Sequence, residues 1–311
     1  MDFSDANSGK VSARKASAVR AFVCVGLVCL SALGLAGCIK VEVDESSAFR
    51  PKPPAISAAT AADLKLNHEE RLKGVEISHQ FIPLEGIGRV AVTLVEHEDA
   101  QESRPLIVHC GGNASDRYRD GEYYAAKALP YGDVLLFDYP GYGDSDGEAT
   151  GQSLHDAAAL ISDLSSGLAG DDRPLVLWGH SLGGFVCSQI VAMSPQVDAM
   201  IYETSARNAY EVAQAWKPWY LPFVQPAVND GLGRFDNVDA LAGFSGKVLV
   251  LGATDDRTLP VKLSNSLFGD LHEAGLDAAY HVFAANHSNV PDSEEFDDVM
   301  APFFAGISSG P

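Results

Sequence analysis

The stretch Pro174 to Met193 constrains this 311-residue chain more than any other. It reads as a buried strand, Leu175-Val176-Leu177-Trp178, then Gly179-His180-Ser181-Leu182-Gly183, then an apolar helix from Gly184 to Met193. A serine at the centre of Gly-x-Ser-x-Gly, between strand and helix, has the form of a nucleophile elbow. Such a turn is so tight that the residues two before and two after the serine must be small, or their side chains would meet neighbouring backbone. The hydroxyl is then held at the carboxyl edge of a sheet and at the positive end of a helix. The bare motif also occurs in ordinary loops, so the flanking strand, the flanking helix and the third glycine, Gly184, carry the weight. Ser181 is the expected nucleophile.

Three other stretches supply polar groups at strand ends. The run Lys247 to Leu251 leads into Gly252-Ala253-Thr254-Asp255-Asp256-Arg257-Thr258-Leu259-Pro260. Paired aspartates in a turn are commonly just solvated. The run Tyr280 to Ala284 precedes His287 and Pro291, and an acidic terminal helix follows. His281 alternates with apolar residues in that strand and reads as structural. Upstream, Pro105 to Val108 runs into His109-Cys110-Gly111-Gly112-Asn113-Ala114. Stabilising an oxyanion takes two convergent backbone N–H groups, one of them expected from Leu182, the residue after the serine.

Together with Asp138-Tyr139-Pro140-Gly141-Tyr142-Gly143-x-Ser145-x-Gly147, these residues resemble the α/β-hydrolase superfamily. The resemblance covers about residues 75 to 305 and is nearest to the small, nearly lidless branch of depalmitoylase-like and serine-aminopeptidase-like proteins. It implies a Ser-His-Asp triad in that chain order, with His287 as the base. Asp255, three residues after Gly252, stands where relatives carry the acid. Asp256 has the spacing to Pro260 seen in many of them and is the alternative. Glu203, at the end of a strand near Ala199, is a third candidate, because some relatives place the acid there. Relatives carry His-Gly-Asn-Ala in the oxyanion loop. This chain has an extra residue and a cysteine there, which leaves the second donor open between Gly112 and Asn113. Asp138 to Gly147 is implied to be a structural loop with Asp144 and Asp146 in solvent. The implied activity is hydrolysis of carboxylic esters or thioesters by covalent acyl transfer. An aminopeptidase-type amide hydrolase and a non-catalytic envelope lipoprotein with this fold are the alternatives. The implied partner is a small-molecule ester or thioester.

The amino terminus predicts location. Lys10, Arg14, Lys15 and Arg20 precede an uncharged apolar run from Ala21 to Leu33, followed by Leu35-Ala36-Gly37-Cys38. Basic residues, a short apolar core and small residues mark a secretory signal. Leu-Ala-Gly-Cys resembles the bacterial lipobox, so residues 1–37 are expected to be removed and Cys38 lipidated. Ile39 in place of aspartate after the cysteine favours the outer membrane, facing the periplasm. Residues 38–70, with Pro51, Pro53 and Pro54, read as a flexible tether.

Removing the leader leaves 18 basic and 40 acidic residues, a formal −22. Such a charge excludes nucleic-acid partners and adhesion to anionic lipid by charge, leaving membrane attachment to the lipid anchor. Cys110 and Cys187 are the cysteines left in the domain. They could pair in an oxidising compartment, but sequence does not fix the geometry. Zinc-type cysteine spacing, His-Glu-x-x-His and phosphate-binding glycine loops are absent from the sequence, and no metal or other cofactor is implied. The oligomeric state is open.

Residues 71–311 suit one α/β domain. Val75 to Ile82 and Arg89 to Glu96 predict an antiparallel pair. Strands follow near Leu106, Val134, Leu175, Ala199, Val248 and Tyr280, and helices near 118–130, 153–167, 183–193, 261–274 and 293–304. This alternation predicts a mostly parallel sheet covered on both faces, with a short cap at about 208–237. The cap carries Trp216, Trp219, Tyr220 and Phe223 among Pro218, Pro222 and Pro226. Its aromatic residues suit either an acyl pocket or packing against the sheet.

Overall fold

The computed structural model of the chain describes residues 39–99 and 104–308. The predicted leader and Cys38 lie outside the described residues. In chain order the elements are β1 (Ile39–Val43), α1 (Glu45–Ala48), β2 (Val75–Leu84), β3 (Gly88–His97), β4 (Leu106–Cys110), α2 (Arg117–Ala128), β5 (Asp133–Phe137), α3 (Gly151–Ala169), β6 (Leu175–His180), α4 (Leu182–Met193) and β7 (Val197–Glu203). Then come α5 (Ala209–Trp216), β8 (Val224–Val228), α6 (Asp230–Gly233), β9 (Lys247–Ala253), α7 (Lys262–Glu273), β10 (Asp277–Phe283) and α8 (Phe296–Ser308).

Among the described residues, eight strands form one sheet in the order β10-β9-β7-β6-β4-β5-β3-β2. β2 and β3 pair antiparallel, β3 meets β5 antiparallel, and the remaining neighbours are parallel. The central strands β4, β5 and β6 are buried at every residue, which is why Leu106–Val108, Val134–Phe137 and Leu175–Trp178 within them read as apolar runs rather than alternations. Alternation survives in where each side chain goes. Leu175 and Leu177 join the core layer that holds Leu154 and Ile161 of α3, Val186 and Ile190 of α4, and Leu267 of α7. Val176 and Trp178 face the other layer, with Ala125 of α2 and Phe296, Met300 and Phe304 of α8. The predicted strands and helices are all present, and the sheet is covered on both faces.

Residues 39–70, read from sequence as a flexible tether, are instead folded onto the domain. β1 pairs in parallel with β8, from Ile39 against Val224 to Val43 against Val228. α1 is capped by Asp44, whose side chain accepts from Ser47 N–H at 2.8 Å. A Glu45 carboxylate oxygen accepts from Gly151 N–H at the start of α3. Phe49, Ala58, Leu64 and Leu66 are buried. The prolines that suggested a tether stiffen connections between anchored apolar residues. Burial, which sequence composition does not reveal, decided the outcome.

Cys110 at the end of β4 and Cys187 within α4 form a disulfide, with Cα atoms 6.0 Å apart. This resolves the pairing that the sequence left open. The predicted solvation of Asp144 does not hold. Its carboxylate is buried with that of Asp138 around Arg117, at 3.1 Å for Asp144 and 3.7 Å for Asp138. Asp138 also accepts from the backbone N–H groups of Arg117 (2.6 Å) and Asp144 (3.0 Å). Burial still pushes its carboxyl up to about 6. Asp146 is half-exposed and pairs with Arg89 at 2.8 Å.

Candidate active site

Ser181 stands between β6 and α4 at φ 55° and ψ −114°, a conformation that non-glycine residues rarely adopt. The glycines around it are sterically required. A Cβ on Gly179 would fall 2.5 Å from the Gly183 carbonyl, and one on Gly183 would fall 1.9 Å from the Cys110 carbonyl. The turn is held by backbone bonds. Ser181 N–H donates to the Glu203 carbonyl at 2.9 Å, and the Ser205 hydroxyl donates to the Ser181 carbonyl at 3.0 Å. Ser181 thus sits at the carboxyl ends of β6 and β7 and at the amino end of α4.

His287 lies in the loop after β10, and its Nδ1 is 2.7 Å from Asp256 Oδ2. The other oxygen, Asp256 Oδ1, accepts from the backbone N–H groups of Thr258 (2.7 Å) and Leu259 (2.8 Å), and this fixes the carboxylate. Asp256 is 6% exposed. Asp255, the residue favoured from sequence, is exposed, and only its backbone N–H is engaged, with the Ala285 carbonyl at 2.9 Å. Successive residues in the turn point opposite ways, so the partner of the imidazole is Asp256. Glu203, the third candidate, is also not on His287. It is fully buried and accepts from Trp178 Nε1 at 2.9 Å. Burial pushes its carboxyl up to about 8, against the opposing effect of the Trp178 bond.

Sequence reasoning missed the residues that clamp His287 from behind. His180 Nε2 is 2.8 Å from the His287 carbonyl, and the Thr204 hydroxyl donates to the same oxygen at 3.1 Å. The two imidazoles lie 5.0 Å apart between ring centres. Burial, with His287 beside it, lowers the His180 pKa to about 4, so the ring is neutral at ordinary pH. A carbonyl only accepts, so the proton of His180 is on Nε2. Thr204 makes its bond from φ 45°, an uncommon conformation for a β-branched residue. The signal for His180 was present, since it precedes the serine. Thr204 left none.

Among the described residues, no hydrogen bond links Ser181 Oγ to His287 Nε2. Such contacts are often long in unliganded hydrolases and tighten around substrate. The loop after β4 passes close to the His180 imidazole, and a Cβ on Gly112 would fall 2.7 Å from His180 Nδ1. The Asn113 side chain is spent on structure. Its Oδ1 accepts from Arg50 N–H (2.9 Å) and Tyr142 OH (2.8 Å), and its Nδ2 donates to the Ala48 carbonyl (2.6 Å). The inserted Cys110 is tied to α4 by the disulfide, and the Tyr139 hydroxyl holds the Gly111 carbonyl at 2.6 Å. The unusual loop is therefore braced from three sides.

The cap carries α5, β8 and α6, and of its aromatic residues Phe235 is buried in the core beside Phe185 while those between α5 and β8 are not. Trp219 is 89% exposed, and Tyr220 and Phe223 are exposed too. Trp216 Nε1 donates to the Thr258 carbonyl at 2.6 Å, which fastens the end of α5 to the Asp256 turn.

Comparison with known proteins agrees with this architecture. A family model for the alpha/beta hydrolase fold matches residues 106–225. The lysophosphatidylserine lipase ABHD12 of Bos taurus is 32% identical over 190 residues, spanning 55% of this chain and 47% of that protein. Protein ABHD12B of Homo sapiens is 28% identical, over 54% of this chain and 50% of its own length. The chain thus spans about half the length of the curated relatives it matches. Among solved structures, a cold-adapted esterase from an Arctic intertidal metagenomic library aligns at TM-score 0.55 and 18% identity, over 79% of this chain and 99% of its own. An esterase of Pyrococcus furiosus aligns at TM-score 0.57 and 15% identity, over 83% of this chain and 97% of its own. On sequence and on backbone alike, the chain carries the α/β-hydrolase fold.

Proposed function

We propose that this protein is a serine hydrolase of carboxylic esters or thioesters, with Ser181 as nucleophile, His287 as general base and acid, and Asp256 as the residue that orients the imidazole. The observation that carries the reading is the elbow of Ser181 on the same sheet edge as the His287–Asp256 pair at 2.7 Å. In this scheme Ser181 Oγ attacks the acyl carbon while His287 Nε2 takes its proton. Collapse of the tetrahedral intermediate expels the alcohol or thiol, which receives that proton, and water then releases the acid by the reverse route. Asp256 keeps the proton of the neutral imidazole on Nδ1 and stabilises the imidazolium. The Leu182 N–H and that of Gly112 or Asn113 receive the oxyanion.

The lipase and esterase names of the relatives support an ester substrate, and the lysophosphatidylserine lipase name of ABHD12 supports a lipid acyl ester. The formal charge of −20 on the whole chain disfavours polyanionic substrates at low salt. The reading also includes the predicted envelope location, with Cys38 lipidated and the leader removed. Replacing Cys38→Ser is then expected to release the protein from membranes or to leave its precursor unprocessed.

A fluorophosphonate probe is expected to label the wild type and not Ser181→Ala. Asp256→Asn is expected to lower kcat on p-nitrophenyl esters by about 10⁴, the order expected when a triad histidine loses its orienting carboxylate. Asp255→Asn is expected to leave it within about twofold, as for an exposed side chain outside the site. Faster turnover of aminoacyl amides than of esters would reverse the substrate assignment. Equal labelling of wild type and Ser181→Ala would remove the nucleophile.

A further inference from the structure

The exposed large apolar side chains are not scattered. Ile39, Val41, Tyr210, Trp216, Trp219, Tyr220 and Phe223 are the ones exposed among the described residues, and they fall in two short segments. Those segments are one place in the fold. β1 pairs with β8 from Ile39 against Val224, and Ile39 N–H donates to the Phe223 carbonyl at 2.9 Å. Trp219 and Tyr220 stand edge to face, with ring centres 6.0 Å apart. Scattered single apolar residues are ordinary surface, but a contiguous aromatic patch on a folded domain marks something that covers it.

Three independent features indicate what covers it. Charge is the first. In a chain with 42 acidic residues, none falls between Glu211 and Asp230, while Lys217 lies inside that interval, and on the paired strand Lys40 offsets Glu42. Residue type is the second. Trp and Tyr combine a flat apolar body with one polar group, and they concentrate where hydrocarbon meets headgroups. The third is the chain that precedes the patch. The 38 residues before Ile39 include the uncharged apolar run Ala21 to Leu33 and end at Cys38, whose next residue is the first strand position of the patch. A lipid attachment at Cys38 is therefore covalently next to the aromatic cluster.

We infer that this face docks on a lipid bilayer, with Trp219, Tyr220 and Phe223 seated at the headgroup level beside Ile39. The inference rests on the membrane location proposed above and deepens it: the domain does not stand off the membrane on a tether but lies against it in a fixed orientation. Trp216 joins the patch to the turn that carries Asp256, so docking holds the candidate active site at the bilayer surface. An amphiphilic ester is then presented without first crossing bulk water.

Fluorescence quenching of the full chain on zwitterionic phosphatidylcholine vesicles tests this, with a nitroxide placed either near the lipid headgroup or near the acyl terminus. The difference between wild type and Trp219→Phe isolates Trp219, whose exposure makes the substitution safe for folding. The headgroup-level nitroxide is expected to quench vesicle-bound wild type at least about twofold more than Trp219→Phe, and the deep nitroxide less, as for an interfacial indole. Equal quenching of the two proteins while both are bound overturns the inference, because the anchor alone then accounts for attachment. Failure of the full chain to bind vesicles overturns it as well. So does a concentration-dependent dimer in lipid-free buffer that shields Trp219 from acrylamide, since a second copy would then be the occupant. Fluorophosphonate labelling of Ser181 in the same samples reports the enzyme assignment separately.

Discussion

Glu203 lies in the buried centre of the molecule, with one carboxyl oxygen on Trp178 Nε1 and the other without a partner among the described residues. Loss of hydration penalises the ionised form, which is why the group is pushed up to about 8 from an ordinary 4.5. A raised carboxyl pKa costs stability as pH increases. Between about 4.5 and 8 the unfolded chain has released a proton that the folded chain retains, so stability falls across that window. Glu203→Gln keeps an acceptor for the indole and removes the titration. Denaturant unfolding at pH 5 and pH 8 is expected to show a smaller pH 8 deficit in this variant than in wild type. An unchanged deficit would place the pH dependence elsewhere, with buried Asp138 the next group to examine. At this scale the residue order of the chain pointed to Ser181 and His287, and the structure pairs His287 with Asp256 rather than with the Asp255 favoured from sequence. Asp255 and Asp256 are adjacent and chemically identical, and only the direction of each side chain distinguishes them.

At the scale of elements, the disulfide joins a strand and a helix that touch in space but lie 77 residues apart in the chain. Closing a loop of that length in the unfolded ensemble corresponds to about 4 kcal/mol in the chain-entropy view, and measured effects usually run lower. The double variant Cys110→Ala/Cys187→Ala is expected to lose about 2 to 4 kcal/mol of stability. Reductant is expected to bring wild type toward the variant and to leave the variant unmoved. Because Cys110 opens the loop after β4 and a Cβ on Gly183 would meet its carbonyl, the same variant is expected to loosen the elbow. Lower activity at temperatures below its unfolding transition checks this. The strands and helices themselves were readable because their periodicity is local. The pairing of two cysteines was not, because it depends on which elements the sheet order makes neighbours.

At the scale of the whole molecule, the segment preceding the sheet belongs to the domain. Phe49 is buried in the larger core layer, and its neighbours are tied down as well, the Ala48 carbonyl by Asn113 and the Arg50 N–H by Asn113 and Tyr142. Phe49→Ala is expected to destabilise the protein by about 3 kcal/mol, the usual order for truncating a buried phenylalanine, whereas a residue in a free tether would change nothing. Thermal unfolding of the two proteins decides it. The sequence by itself determined the α/β layering, the order of strands and helices and the Ser181 elbow. Each of these is written in short-range periodicity or in a turn that admits few residue types. The tertiary structure decided that Asp256 meets His287, that Glu203 faces Trp178, that residues 39–70 pack, that Asp144 is buried on Arg117, and that Trp219, Tyr220 and Phe223 of the cap are exposed. Those outcomes depend on contacts between residues far apart in the chain and on which side of a turn faces the core. Composition and spacing do not encode either.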